Sequence, residues 1–235
     1  MNRYTSERLS SAVAAICPDV QARVKRPSAQ PGERQLWWEL SSCILSSQVP
    51  YALAIAATDA IDSEGLLLDS CRDPEPLTAR LLGVLCKPFI VEGQSRGYRF
   101  PVARARQIAQ THTAIMMQAP SLRALIDRFH DATEARAWFV THAPGIGPKQ
   151  ASMFLRNVGM SYDLAILDRH VLNYMTALGI YSGVRLSIAS LTQYRRLEAA
   201  LRQHADCLEC PVGLLDWAIW IVMRVANRKM EPIAI

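Results

Sequence analysis

Lys149 and Asp168 are the two residues whose types and surroundings could carry out a covalent reaction. Lys149 follows Pro144-Gly145-Ile146-Gly147-Pro148 and falls in the first turn of the helix that this segment opens. The helix dipole disfavours a cation there, and a neutral lysine amine is a nucleophile that can form a Schiff base. The Asp168 carboxylate could stabilise developing positive charge or move protons. The simpler alternatives are a phosphate contact for Lys149 and a helix N-cap for Asp168.

Two helices must position Lys149, because apolar residues with helical spacing lie on both sides of the glycines. These residues are Trp138, Phe139, Phe154 and Leu155. Gly145 and Gly147 can both take a positive φ, and Ile146 can plug the junction between the helices. The pattern predicts a helix-hairpin-helix over about residues 138–157. The amides that open its second helix would bind a nucleic-acid phosphate without reading the base sequence.

The two segments that contain Lys149 and Asp168 resemble a known superfamily. Residues 145–159, GIGPKQASMFLRNVG, and residues 164–172, LAILDRHVL, are similar to the helix-hairpin-helix/Gly-Pro-Asp DNA glycosylases. The most similar type is the small archaeal and bacterial 8-oxoguanine DNA glycosylase/AP lyase. The resemblance implies removal of an oxidised purine, through a Schiff base on Lys149 and β-elimination, with Asp168 as its partner. It also implies that Gly145, Ile146 and Gly147 bind the DNA backbone.

The resemblance extends to residues outside the hairpin. Residues 38–48 are similar to the superfamily segment whose glutamine enters the duplex, which makes Gln48 a candidate wedge for the gap left by an extruded base. The simpler alternative is an exposed loop glutamine. Asp216, Trp217 and Trp220 lie on the last predicted helix, in a region that resembles the base-pocket helix. Asp216 could bond a base edge, whereas for the two tryptophans we favour the simpler interpretation that they belong to the core.

The composition fits a protein that binds a polyanion. Lys and Arg number 26 against 21 Asp and Glu, for a net charge of +5, and half of the residues are hydrophobic. With the hairpin, this charge favours double-stranded DNA as the partner. No apolar run approaches the roughly 18 residues of a membrane span, and the first residues lack an apolar signal core. We therefore expect a cytoplasmic protein, associated with the nucleoid through DNA, that acts as a monomer.

The cysteines indicate no metal centre. Cys207 and Cys210 form a single CxxC pair, whereas zinc and iron–sulfur sites usually need four ligands. We interpret this pair as a turn before the helix that Pro211 opens, and Cys43 as a core residue. No cofactor is expected, apart from a monovalent cation that backbone carbonyls of the hairpin could hold.

The predicted fold is all-α: one domain over residues 1–235, with two helical lobes flanking a DNA-binding cleft. An N-terminal extension over about residues 1–33 contains a helix over 5–16, which Pro18 ends, and a polar loop over 25–33. Residues 93–101 are predicted to be a loop. Thr133 is expected to cap the helix that leads into the hairpin.

Two other functions are compatible with these observations. One is a glycosylase for a different modified base, for example in modified phage DNA. The other is a DNA-binding module without catalysis. Activity on DNA that contains an abasic site would separate the second from the glycosylases.

Overall fold

The computed structural model describes residues 5–24, 30–69, 73–183, 188 and 190–228. Within these residues the chain forms eleven helices and one two-stranded antiparallel sheet, which confirms the all-α prediction. In chain order the elements are α1 (Ser6–Arg23), α2 (Glu33–Leu45), α3 (Tyr51–Ser63), α4 (Pro74–Leu85), β1 (Phe89–Val91), β2 (Gln94–Arg96), α5 (Pro101–Gln118), α6 (Leu122–Ile126), α7 (Ala132–His142), α8 (Pro148–Asn157), α9 (Arg169–Ala177), α10 (Leu191–Cys207) and α11 (Val212–Arg228).

The helices group into two compact units. Residues 29–160 form the central unit, and the residues before and after them form the terminal unit. The interpretation as a single domain with a cleft stays a prediction.

The core of the central unit is built around α2. Eight of the thirteen residues of this helix are buried, and α3, α5, α6 and α8 all pack against it. The Trp37 ring of α2 packs against the His112 ring of α5 in a tilted arrangement, with 4.9 Å between the ring centroids. Helix α2 thus touches both the helix that carries Lys149 and the turn that carries Gln48.

The terminal unit joins the two ends of the described chain, because α1 packs along α11. The expectation that Pro18 ends the first helix is wrong: α1 continues to Arg23 with Pro18 inside it. Buried residues lie on one stripe on both sides of the proline, namely Leu9, Val13, Cys17 and Val20. The packing of these residues stabilises α1 by more than the loss of the one helical hydrogen bond that proline cannot donate.

Three further expectations need correction. Residues 94–96 form β2 rather than loop, paired with β1 across a tight turn in which Glu92 and Gly93 both have positive φ. Asp131, not Thr133, caps α7, because its Oδ1 accepts the Thr133 and Glu134 amides. Cys207 is the last residue of α10, so the turn before α11 begins after it.

Some of the predicted features lie outside the described residues. They are residues 1–4 of the N-terminal extension and residues 25–29 of the polar loop.

Candidate active site

The hairpin between α7 and α8 follows the predicted pattern with one difference between its glycines. The amide of Ile146 donates to the Ala143 carbonyl at 3.0 Å, and the Ile146 side chain is buried. Gly145 has φ +88°, the left-handed region that favours glycine. Gly147 instead has φ −91° and ψ 177°, an extended conformation open to any residue. The prediction of positive φ is therefore confirmed for Gly145 and wrong for Gly147.

The N-terminus of α8 presents backbone amides beside Lys149. Gly147 is the N-cap and Pro148 the first helical residue, and in this described segment no side chain caps the helix. Proline has no amide hydrogen, so the first-turn donors are the amides of Lys149 and Gln150. The half-buried Lys149 side chain leaves from the same turn. The arrangement can hold an anion next to an amine.

Polar contacts at the other end of α8 fix this helix against α2. Asn157 donates from Nδ2 to Oε2 of Glu39 at 3.1 Å, and Arg156 Nε donates to Oδ1 of Asn157 at 3.2 Å. Burial raises the pKa of Glu39, while the bond to Asn157 and the charge of Arg156 act in the opposite direction. Sequence reasoning gave Arg156 and Asn157 no role, because their partner lies far away in the chain.

The predicted core residue Cys43 lies within electrostatic range of these groups. It is buried on α2, which confirms the prediction, and burial raises the pKa of its thiol. The charge of Glu39 acts in the same direction, whereas the charges of Arg156 and Lys149 oppose it. Lys149 therefore lies within electrostatic range of the buried face of α2.

Gln48 lies in the turn between α2 and α3, as predicted. Its side chain is exposed, and its φ of +62° is unusual for a residue other than glycine. Two side chains hold the backbone of this turn. The Tyr98 hydroxyl donates to the Leu45 carbonyl at 2.7 Å, and Arg104 Nη2 donates to the Ser47 carbonyl at 3.0 Å.

Asp168, in the terminal unit, is the N-cap of α9. Its Oδ1 accepts the Val171 amide at 2.8 Å, as the simpler interpretation of this residue requires. A carboxylate has a second oxygen, so capping is compatible with a role in a reaction.

The buried segment before Asp168 is fixed by two residues of α10 that sequence reasoning missed. The Tyr194 hydroxyl donates to the Ala165 carbonyl at 2.7 Å and accepts the Leu167 amide at 3.0 Å. Glu198 Oε1 accepts the Ala165 amide at 2.7 Å. These bonds hold the backbone that leads to the carboxylate.

The three base-pocket candidates lie together on α11 of the terminal unit. Trp217 and Trp220 are 40% and 41% exposed, so neither is a fully buried core residue. The Arg224 guanidinium carbon lies 4.5 Å from the centroid of the Trp220 ring. Asp216, which precedes Trp217, is half-buried. The helix therefore offers partly exposed aromatic rings and a carboxylate, which can stack on a base and accept its hydrogen bonds.

The predicted site residues thus fall into two groups. Gln48, the hairpin and Lys149 belong to the central unit, whereas Asp168 and the three candidates on α11 belong to the terminal unit. Among the described residues, no group of three or more His, Cys, Asp or Glu side chains could hold a metal ion. In the same part of the chain, no helix combines the length and apolar character needed to cross a membrane.

Comparisons with known proteins identify the family of this chain. A family model described as 8-oxoguanine DNA glycosylase matches residues 21–210. The 8-oxoguanine DNA glycosylase/AP lyase of Sulfolobus acidocaldarius is 32% identical over 189 residues, which cover 80% of this chain and 82% of that protein. The crystal structure of the 8-oxoguanine DNA glycosylase of Thermotoga maritima superposes with a TM-score of 0.70 at 29% identity, covering 92% of this chain and 96% of the other.

A more distant structure has the same fold. It is the 8-oxoguanine glycosylase/lyase of Methanocaldococcus jannaschii in complex with a 15mer DNA containing 8-oxoguanine. It superposes with a TM-score of 0.71 at 23% identity and covers 91% of this chain and 96% of its own. The family model matches residues 21–210, and the Sulfolobus acidocaldarius relative is 32% identical over 80% of this chain. The chain therefore belongs to the 8-oxoguanine DNA glycosylase family.

Proposed function

We propose that this protein is a DNA glycosylase with AP lyase activity that removes an oxidised purine, 8-oxoguanine first, from double-stranded DNA. One observation carries the proposal: the half-buried Lys149 lies in the first turn of α8, directly after the hairpin with Gly145 in the left-handed conformation. The relatives of this chain, named 8-oxoguanine DNA glycosylase/AP lyase, support the choice of substrate.

In the proposed reaction the neutral amine of Lys149 attacks C1′ of the damaged nucleotide. The bond between the lysine nitrogen and C1′ forms as the glycosidic bond breaks, and the base leaves with the electron pair of the glycosidic bond. The nitrogen, now a substituted ammonium, gives up a proton, which neutralises the departing base and restores the nitrogen lone pair. The lone pair of the lysine nitrogen then forms a C=N bond as the C1′–O4′ bond breaks, and O4′ takes a proton. Loss of a C2′ proton expels the 3′ phosphate. Water releases the enzyme from the resulting Schiff base.

Asp168 supplies the negative charge in this proposal. Its carboxylate stabilises the positive character that develops on the sugar as the base departs, and it can assist the proton transfers. The buried backbone before it and the capping bond to Val171 hold the carboxylate in one orientation. Preorganisation of this kind avoids reorientation during the reaction.

The other residues bind and open the duplex. The amides of Gly145 and Gly147 and of the first turn of α8 bind the DNA backbone. Ile146, whose amide donates to the Ala143 carbonyl, holds the hairpin that presents them. Gln48 fills the gap that the extruded base leaves. The face of α11 with Asp216, Trp217 and Trp220 receives that base.

The remaining parts of the proposal concern the form and setting of the protein. It acts as a monomer in the cytoplasm, on the DNA of the nucleoid. Its net charge of +5 favours binding to DNA. No cofactor enters the reaction. A monovalent cation on the hairpin carbonyls stays a prediction, and it would affect DNA affinity alone.

Borohydride reduction of the Schiff base tests the proposal. Wild-type protein should become covalently attached to duplexes that carry either 8-oxoguanine or a preformed abasic site. Lys149→Gln should abolish the attachment and keep DNA binding, because the hairpin amides remain. Lys87→Gln, which removes an exposed lysine of the same unit, is the matched control and should attach like wild type.

The same assay separates the other functions. Attachment to abasic DNA without excision of 8-oxoguanine would indicate a glycosylase for another modified base, and duplexes with one modified base each would then identify it. Binding without attachment or strand cleavage on either substrate would indicate a DNA-binding module without catalysis. Full attachment by Lys149→Gln would refute the role of this lysine.

A further inference from the structure

The turn that carries Gln48 is held in a conformation that its own sequence does not favour. Gln48 has φ +62°, a left-handed backbone conformation that is unfavourable for a residue with a Cβ. The residue lies between buried Leu45 and buried Val49, so both ends of the turn are anchored in the core. Such a conformation persists where the surrounding structure enforces it. The contacts that enforce it are therefore part of what positions the exposed Gln48 side chain.

Arg104 is one of the two side chains that supply these contacts. It lies on α5 and is 9% exposed, although it carries a charge. Its Nη2 donates to the carbonyl of Ser47, the residue before Gln48, and its Nη1 donates to Oε1 of Gln107 at 2.6 Å. A buried guanidinium is costly unless it is hydrogen-bonded, so its placement against the turn indicates a positioning role.

The same face of α5 reaches the hairpin. Residues 104, 107 and 111 follow helical spacing and lie on one side of the helix. A Cβ at Gly145 would lie 2.8 Å from Gln107 Oε1, so the glutamine side chain packs directly against this glycine. Thr111 donates from Oγ1 to the Pro144 carbonyl at 3.1 Å. We call Arg104, Gln107 and Thr111 the α5 bridge, because they contact the Gln48 turn at one end and the hairpin at the other.

We propose that Arg104 is a positioning residue for the Gln48 wedge. The α5 bridge then fixes the position of the wedge relative to the hairpin that holds the DNA backbone. The proposal rests on the proposed function, since a wedge matters only where a base is extruded. Arg104 acts through the backbone of residue 47 and needs no contact with DNA. The wedge thus enters the duplex at a fixed distance from the phosphate grip.

The alternative is that Arg104 is one of several arginines that contact phosphate. Arg96, Arg99 and Arg106 lie nearby in the sequence, and all three are exposed. Arg104 differs from them in its burial and in directing two of its nitrogens to protein atoms. These contacts favour support of the turn over a phosphate contact.

The test compares base excision with cleavage at a preformed abasic site. Arg104→Met keeps the length of the side chain and removes its donors. It should lower the single-turnover rate of 8-oxoguanine excision roughly tenfold or more and affect cleavage of the abasic duplex much less, as Gln48→Ala should. The double variant Gln48→Ala/Arg104→Met should be no slower in excision than Gln48→Ala alone, because both changes remove the same wedge.

Arg106→Met is the matched control, since it removes an exposed arginine from the same helix. Any phosphate contact that it loses should lower both activities alike. Equal losses on the two substrates for Arg104→Met would overturn the proposal and support a phosphate contact. Additive losses in the double variant would also overturn it.

A measurement without DNA keeps this inference separate from the proposed function. Hydrogen exchange of the amides in residues 46–49 should be faster in Arg104→Met than in wild type or Arg106→Met. Unchanged exchange would overturn the role of Arg104 whatever the protein does to DNA. If wild type excises no base, the proposed function fails, and faster exchange would still support Arg104 as the residue that holds this turn.

Discussion

Asp168 caps α9 and, in the proposed reaction, also supplies a negative charge, and one substitution can separate these two roles. Asn caps a helix about as well as Asp, so Asp168→Asn should change the free energy of unfolding by only a few tenths of a kcal/mol. The same substitution removes the charge. Loss of one preorganised electrostatic partner costs about 10²–10³ in rate, so damaged DNA should bind well and react slowly. Denaturant unfolding and single-turnover excision measure the two effects.

Asp168→Ala provides the contrast. It removes the capping bond to the Val171 amide as well as the charge, so it should also lower the free energy of unfolding by about 1 kcal/mol. If Asp168→Asn reacted at the wild-type rate, the carboxylate would be only a helix cap.

Local signals account for the site residues that sequence reasoning could find. Gly145 indicates a turn and Asp168 indicates a helix cap, each from the residues next to it in the sequence. In the structure Gly145 lies in the hairpin turn and Asp168 caps α9. Tyr98 and Arg104 are different, because they bond to carbonyls 53 and 57 residues away. No periodicity or spacing in one sequence encodes such a contact, so the supports of the Gln48 turn required the structure.

Helix α1 shows how tertiary packing overrides a local signal. Pro18 is exposed and lies inside the helix, whereas Val13, Cys17 and Val20 of the same helix are buried. Proline in a helix interior costs about 3 kcal/mol relative to alanine, part of which its stiffness in the unfolded chain offsets. Pro18→Ala should therefore raise the free energy of unfolding by about 1 kcal/mol or more.

Thermal or denaturant unfolding measures the effect of Pro18→Ala. Asp19→Ala, at the neighbouring exposed position of α1, is the matched control and should change stability much less. A loss of stability in Pro18→Ala would mean that the proline bends α1 as its packing against α11 requires.

The contact between α9 and α10 makes the terminal unit sensitive to acid. The hydroxyl of Tyr174 and Nε2 of His204 are 2.8 Å apart, and burial lowers the pKa of His204 from its ordinary 6.5. Burial also raises the pKa of Tyr174 to about 12, so the hydroxyl stays a donor and the neutral imidazole accepts. The folded protein resists protonation of His204, whereas the unfolded chain takes the proton near pH 6.5.

Stability should therefore be lost as pH falls below about 6.5 toward the folded pKa of His204. His204→Gln keeps an acceptor that does not titrate, so it should flatten part of this dependence in denaturant unfolding across pH. Burial lowers the pKa of His112 as well, so some dependence should persist. His130→Gln, at an exposed position, is the control for replacing a histidine and should change stability little at neutral pH. The same loss of stability in acid for His204→Gln and wild type would contradict this explanation.

At the scale of elements, helical periodicity was sufficient to predict the long helices from the sequence, whereas the short strands could not be predicted. The long helices α2, α5 and α10 each bury a face over several turns, which gives their sequences a clear helical period. Strands β1 and β2 have three residues each, too few for an alternating pattern to stand out. Their pairing depends on the positive φ of Glu92 and Gly93 at the turn, and an Asn-Gly or Asp-Gly pair would have indicated it more strongly.

At the scale of the whole molecule, the charge of +5 and the hairpin contribute to DNA binding in different ways. Arginines that neutralise phosphates release condensed counterions, and each such phosphate adds about −0.9 to the slope of log K against log salt. The hairpin amides are neutral donors, so they should add affinity with little release of ions. Affinity should accordingly fall steeply with salt, with a slope that counts the charged contacts and not the amides.

Two variants can separate these contributions in binding assays over a range of salt concentrations. Arg99→Gln removes an exposed charge and should reduce the slope by about 0.9 if Arg99 contacts a phosphate. Gly145→Ala distorts the hairpin, since its φ is +88° and the new Cβ would lie 2.8 Å from Gln107 Oε1. It should weaken binding at every salt concentration and leave the slope as in wild type, provided that unfolding experiments show the protein folded. A reduced slope for Gly145→Ala would mean that the hairpin places charged side chains on the DNA, and the backbone grip would then be the minor part of the interface.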